Sequence, residues 1–376
     1  MDKLSFLEVI AAIAVFVSLL LAVFLLTVKT ERKLENRLFA AFLIINAIDI
    51  SGLFMHLFVD SYDLKAFKIS AYLLVMPLFY LYVNAVCYAD FTLKRKHLLH
   101  LIPFVVVNLI LVPRLYLAEG AAKADFFKVM WHAPEMFFYQ AIGELQYFFY
   151  IVGVLLVLKK YKKIYLENYT NPNTLLYKWL FQLTMIFLVI HVFIILKNVV
   201  RYTSDKDLFI WLNIVAGTVA LLAACWFILK ALNYPELFRR IDSTLQPTKD
   251  FAATLETEPK TDEAKSLQIE QLKNFMVEKE PFLNPYLTIQ ELADQVEIPV
   301  RELSVLINHH INQHFFDFVN EYRVKKAMAF LKDPKRKEYT VLEILYEVGF
   351  NSKSSFHTSF KKYTHQTPTA FKNSSL

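Results

Sequence analysis

Cysteine is almost absent from the 376-residue chain: Cys87 and Cys225 are the only two, and both sit inside apolar runs. Neither a disulfide framework nor a thiolate metal site can be built from them. Glycine is scarce too, with six residues, and no phosphate-cradling glycine loop occurs. Gly-x-Ser-x-Gly and His-Glu-x-x-His are also missing, as are histidine-kinase and receiver blocks. These absences remove the common catalytic constellations, so no enzyme, cofactor or metal is expected.

Apolar sequence is what the chain has in abundance. It is 56% hydrophobic and 15% aromatic, with a mean hydropathy of +0.36, which exceeds what a water-soluble domain needs and points to the membrane class. The apolar character is confined to residues 1 to about 232, whereas 240–376 reads as ordinary soluble sequence. Two regions suited to different solvents follow.

A helix needs about 20 apolar residues to cross a bilayer. Seven segments qualify, at 6–28, 38–59, 67–89, 97–117, 135–158, 175–197 and 208–231. The first reads as a retained span, because it is long and lacks a small-residue cleavage site. Three of the connections, "KTERKLENR", "DFTLKRKH" and "KKYKKIYLENYTNPNT", hold eleven Lys and Arg; the other three hold five. The positive-inside rule then puts the N-terminus outside and the C-terminus in the cytoplasm of the inner membrane. Within the spans lie Asn46, Asp49, His56, Glu144, Gln146, Gln182 and His191. Such groups are costly at bilayer depth and face the bundle interior. Either they fix helix packing through interhelical hydrogen bonds, or Asp49, Glu144 and His191 form a polar ligand pocket or proton site.

Residues 242–264, "DSTLQPTKDFAATLETEPKTDEA", carry two prolines and no apolar period, so they read as a linker. The expected organisation is therefore a membrane domain over 1–234, a linker over 235–264 and a soluble domain over 265–376. A first soluble helix starts near Lys265, with Leu267, Leu272, Phe275 and Met276 on its apolar side. From 288 the pattern repeats itself at an offset of 52 residues, and of 53 past the turn. Leu292 matches Ile344, Val296 matches Val348, Glu297 matches Gly349, Leu303 matches Phe356 and Ile307 matches Phe360. Each half is a short helix, a turn and a second helix. The turns are marked by Pro299 in one half, and by Gly349 with Asn351 or Ser352 as N-cap in the other. "FFDFVNEYRVKKAMAFL", residues 315–331, joins them as a longer helix with Phe318, Tyr322, Ala327 and Leu331 inward.

Through "LTIQELADQV", "FFDFVNEYRVKKAMAFL", "ILYEVGFNSKSSFHTSFKKYT" and "QTPTAFK", residues 265–373 resemble the DNA-binding domain of the AraC/XylS family of bacterial transcription regulators. The whole layout is similar to membrane-anchored members of that family. The resemblance implies an all-α chain: a seven-helix transmembrane bundle followed by a soluble double helix-turn-helix. Its implied partners are double-stranded promoter DNA, membrane lipid, a second copy in a homodimer, RNA polymerase and an unidentified signal. Two recognition helices per monomer would enter successive major-groove segments about 34 Å apart. Carried over by position, the first presents Arg301, Ser304 and Val305 and the second Lys353, Ser354, Ser355 and Thr358. Arg301 can bond guanine through two donors and so carries the main specificity, whereas Lys361 and Lys362 suit phosphate. The chain departs from the family pattern at Thr358, where Arg is common, at Lys372, which stands for Arg, and at Glu297, Asn312 and His365, which stand for glycines. These departures leave open a second reading, a membrane receptor or transporter-like bundle whose tail docks a protein partner.

Charge within the soluble part is lopsided. Residues 265–322 hold four Lys and Arg against nine Asp and Glu, and 323–376 hold eleven against four. The electrostatic footprint for DNA thus falls on the second half. His310 and His314, at i and i+4 beside His309, have no evident third partner for a metal and read as a surface turn.

Overall fold

The computed structural model describes residues 3–28, 33–59, 61–170, 174–203, 205–233 and 262–375. Residues 235–261 of the expected linker lie outside them. Among the described residues every regular element is a helix, and an isolated bridge joins Tyr169 to Thr288. The chain divides into two compact units: one comprises 1–158 and 176–243, the other 159–175 and 244–376.

The N-terminal unit contains α1 (Lys3–Thr27), α2 (Lys33–Ser51), α3 (Tyr62–Cys87), α4 (Arg95–Tyr116), α5 (Gly120–Val129), most of α6 (Pro134–Asn168), α7 (Thr174–Val200) and α8 (Lys206–Asn233). Six of the seven expected apolar segments are helical over most of their length; the second, 38–59, is helical only to Ser51 and then breaks into turns and a short 3-10 helix. Five helices are long and apolar enough to cross a membrane, namely α1, α3, α4, α6 and Leu176–Val200 of α7; in α8 the apolar stretch is the shorter Asp207–Ala223. α3 lies at the centre, with Phe79 and Val83 fully buried. The outward faces of its neighbours are apolar, with Phe16 67%, Phe149 66% and Leu156 61% exposed. A rim of large apolar side chains on this scale is unfavourable in water and suits hydrocarbon.

The C-terminal unit contains α9 (Asp262–Lys279), α10 (Ile289–Val296), α11 (Val300–Val305), α12 (Phe315–Lys332), α13 (Val341–Glu347), α14 (Lys353–Thr364) and α15 (Pro368–Ser375). Two apolar cores share α12. Its first turns give Phe315, Phe318 and Val319 to a core with Leu272, Met276, Leu292, Leu303 and Ile307. Its later turns give Val324, Ala327 and Leu331 to a second core with Ile344, Val348, Phe356 and Phe360. Leu267, expected on the apolar side of α9, is 57% exposed instead, because it lies in the first turns of α9, ahead of the part held by Leu272 and Met276.

Candidate nucleic-acid interface

Each half of the C-terminal unit is built by the same local devices. Thr288 caps α10 and Thr340 caps α13. In each case the threonine oxygen accepts from the backbone N–H three residues on, and Glu291 or Glu343 accepts from the threonine backbone in return. Such reciprocal boxes satisfy two otherwise orphaned donors at a helix start. Ser352 caps α14 by accepting from the Ser355 N–H. The repeat pairs read from the sequence occupy equivalent places: Leu292 and Ile344, Leu303 and Phe356, and Ile307 and Phe360 are all fully buried.

The turns explain the missing glycines. Glu297, Asn312 and His365 have φ of 56°, 58° and 59°, and Gly349 has 88°. The backbone therefore keeps the left-handed geometry at every one of these positions and accepts the cost of a side chain at three of them. At Gly349 it could not, since a Cβ there would sit 2.5 Å from the Phe282 carbonyl oxygen and 2.8 Å from that of Leu283.

Those two carbonyls belong to a segment clasped by Arg323. This side chain is 1% exposed. Its Nε donates to the Phe282 oxygen at 2.6 Å, Nη2 to the Asn284 oxygen at 2.7 Å and Nη1 to Asn320 Oδ1 at 3.1 Å. The same guanidinium reaches Thr170, through its carbonyl at 3.5 Å and its hydroxyl at 3.4 Å, and Thr170 Oγ1 donates to the Leu287 oxygen at 2.7 Å. Burial pulls the Arg323 pKa down, to about 9. The sequence signal was available: Arg323 falls in phase with Val319, Ala327 and Leu331 on the inward stripe of α12.

On α14 the exposed residues are Lys353, Ser354, Thr358 and Lys361, with Ser355 half-buried. Ser354, Thr358 and Lys361 stand at i, i+4 and i+7, one open helix face. Lys362 is exposed and paired with Asp317 at 2.6 Å. On α11, Arg301 is exposed, whereas Ser304 and Val305 are 5% and 6% exposed. Asn308 Nδ2 bonds both the carbonyl and the hydroxyl of Ser304, at 2.9 and 3.2 Å. In this arrangement, of the three α11 residues expected at the groove, only Arg301 is open to it. Lys372 donates to the carbonyls of Lys337 and Tyr339, at 2.9 and 2.7 Å, and so ties α15 to the loop before α13. His309 and His310 are exposed in the wide turn after α11.

A helix-turn-helix domain model matches residues 292–374. The C-terminal unit carries a helix-turn-helix domain of AraC type. Over 86 residues the chain is 29% identical to the uncharacterized HTH-type transcriptional regulator YdeC of Bacillus subtilis (strain 168). That match covers 23% of this chain and 28% of the relative, so the likeness is to one domain and not to a whole protein. No solved structure matches.

The second set of expected site residues lies in the N-terminal unit. Asp49, Glu144 and His191 line one cavity of about 180 Å³, together with Lys68, Tyr72, Trp131, Tyr139, Gln140, Gly143, Lys197 and Arg201. His191 Nε2 is 2.8 Å from Glu144 Oε2, and the imidazole stacks on the Tyr147 ring at 3.4 Å. Asp49 lies 3.9 Å from Lys68 Nζ. Of the other polar groups read from the sequence, Gln146 donates to the Leu73 carbonyl at 2.9 Å, Asn46 bonds within its own helix and His56 lies 3.5 Å from Glu8. The three cations of the cavity were missed, because Lys68, Lys197 and Arg201 sit at or near span ends, where charge is ordinary.

Proposed function

We propose that this chain is a membrane-bound, one-component transcription regulator. In this reading residues 1–234 form a seven-span sensor, 235–264 a cytoplasmic linker and 265–376 a DNA-binding domain. The N-terminus is outside and the helix-turn-helix domain reads promoter DNA from the inner face of the membrane. A ligand that binds one packing of the bundle better than another shifts the population and so changes how paired DNA-binding domains are presented. The observation that carries the reading is the pair of equivalent, separately cored helix-turn-helix units joined by α12. Arg301 stands open on one, and Lys353, Ser354, Thr358 and Lys361 stand open on the other. Arg301 reads guanine, α14 adds Ser and Thr contacts, and Lys361 neutralises phosphate; Lys362 joins it only by leaving Asp317.

A footprint of the full chain in lipid nanodiscs on a promoter fragment tests this. Protection of two major-groove segments on one DNA face, about 34 Å apart, is expected, and uniform protection without sequence preference would rule it out. The burial of Ser304 and Val305 favours one rival, a helical tail that docks a protein. Arg301→Ala separates the two, since a docking tail keeps its partner and a regulator loses its site.

A further inference from the structure

The cavity of the N-terminal unit is lined by three cations, Lys68, Lys197 and Arg201, against two carboxylates, Asp49 and Glu144. The carboxylates have partners: Asp49 is near Lys68, and Glu144 bonds His191. No carboxylate among the described residues lies within ion-pair distance of Lys197 or Arg201. Arg201 stacks its guanidinium on Trp131, at 3.6 Å from the ring centroid. Stacking occupies the face of the guanidinium and leaves its N–H edge available.

From these donors we infer that the cavity binds a small organic monocarboxylate. Its carboxylate is held by Lys197 and Arg201, and its body lies against Tyr72, Tyr139 and Ile194. Size and charge set the class. A dry cavity of about 150 Å³ takes benzene, so 180 Å³ takes an acid of about seven non-hydrogen atoms. Inorganic phosphate would leave the aromatic side empty, and Asp49 and Glu144 oppose a second negative charge. The lining residues come from the end of α2, the starts of α3 and α6, the turn before α6 and the end of α7. The charge asymmetry of the loops puts all of these outside, so the ligand arrives from the extracytoplasmic side. The inference deepens the sensor reading and rests on it for its biological meaning.

The test is a Trp131 fluorescence titration of the full chain in nanodiscs with butyrate and with lactate, at ionic strength fixed by chloride. Trp131→Phe assigns the signal. Saturable quenching is expected. It should weaken about 10- to 100-fold in Lys197→Gln and Arg201→Gln, as for lost bonds to charged groups, and be largely kept in Lys197→Arg. Gly143→Leu changes no charge but fills the cavity, and should abolish the response even where a charge variant fails to fold. The inference is overturned if neither acid quenches beyond chloride, if phosphate or ethylammonium binds better, or if Gly143→Leu responds like the parent chain. A DNA footprint on the same sample is independent of these outcomes, so failure here and failure of the regulator reading are told apart.

Discussion

Replacing Gly349 with alanine should destabilise the C-terminal unit without touching a DNA-facing side chain. Its φ of 88° costs an L-residue about 1 to 2 kcal/mol. The new Cβ also meets the Phe282 carbonyl oxygen at 2.5 Å and the Leu283 oxygen at 2.8 Å. These are backbone atoms of a segment that Arg323 holds through the Phe282 and Asn284 carbonyls, so relief requires moving the segment, an overpacking cost of about 1 to 3 kcal/mol. The stiffer unfolded chain returns about 0.4 to 1 kcal/mol. A net loss of about 1.5 to 4 kcal/mol remains, equivalent to a fall in midpoint of about 5 to 15 °C for a unit of this size. Thermal proteolysis of the full chain in nanodiscs, following fragments from 341–364, reads it directly, with Ser354→Ala as the neutral control. A midpoint within 2 °C of the parent would refute the argument that the second turn is locked against residues 282–283.

Three further outcomes follow from the same geometry. Glu297→Gly relieves a left-handed side chain (φ 56°) and should stabilise the unit by about 0.5 to 1 kcal/mol; it also removes a negative charge near Arg301 and so should tighten DNA binding at low salt. The Glu343 carboxyl is held below its ordinary value by bonds from the Thr340 backbone and hydroxyl. Its contribution is thus present above pH 4.5 and fades as pH falls through the depressed folded value, so in an NMR titration Thr340→Ala should lose the part of the depression that the hydroxyl supplies and keep the part from the backbone N–H. Arg323→Met leaves the Phe282 and Asn284 carbonyls without their donor and should cost about 2 to 4 kcal/mol, whereas an exposed-face change such as Thr358→Ala should cost under 0.5 kcal/mol.

How much of this could be read from the chain varied by region. The double helix-turn-helix was legible because its core positions repeat at fixed spacing, and Leu303 with Phe356 or Ile307 with Phe360 then share equivalent burial. Ser352 was legible as the cap of α14, whereas the Thr-x-x-Glu boxes at 288–291 and 340–343 became evident in the structure. The burial of Ser304 and Val305 was not legible: their position in the motif puts them at the groove, while tertiary surroundings bury them. The polar cavity was half legible. Asp49, Glu144 and His191 stand out inside apolar runs, but Lys197 and Arg201 resemble any charges at a helix end until the fold brings residues of four helices to one place. Arg323 was legible as inward from its phase with the apolar stripe of α12, but its partners, the Phe282 and Asn284 carbonyls, come from a segment that only the fold brings to it.

The central claim is that the tethered chain reads promoter DNA through two helix-turn-helix units. Genome-wide mapping of DNA crosslinked to the membrane-bound protein tests it most directly. A small set of discrete sites upstream of genes is expected, with occupancy lost about 5- to 150-fold in Arg301→Ala, as for one base-reading side chain worth 1 to 3 kcal/mol. An absence of enriched sites, or the same sites at the same occupancy without Arg301, would contradict it.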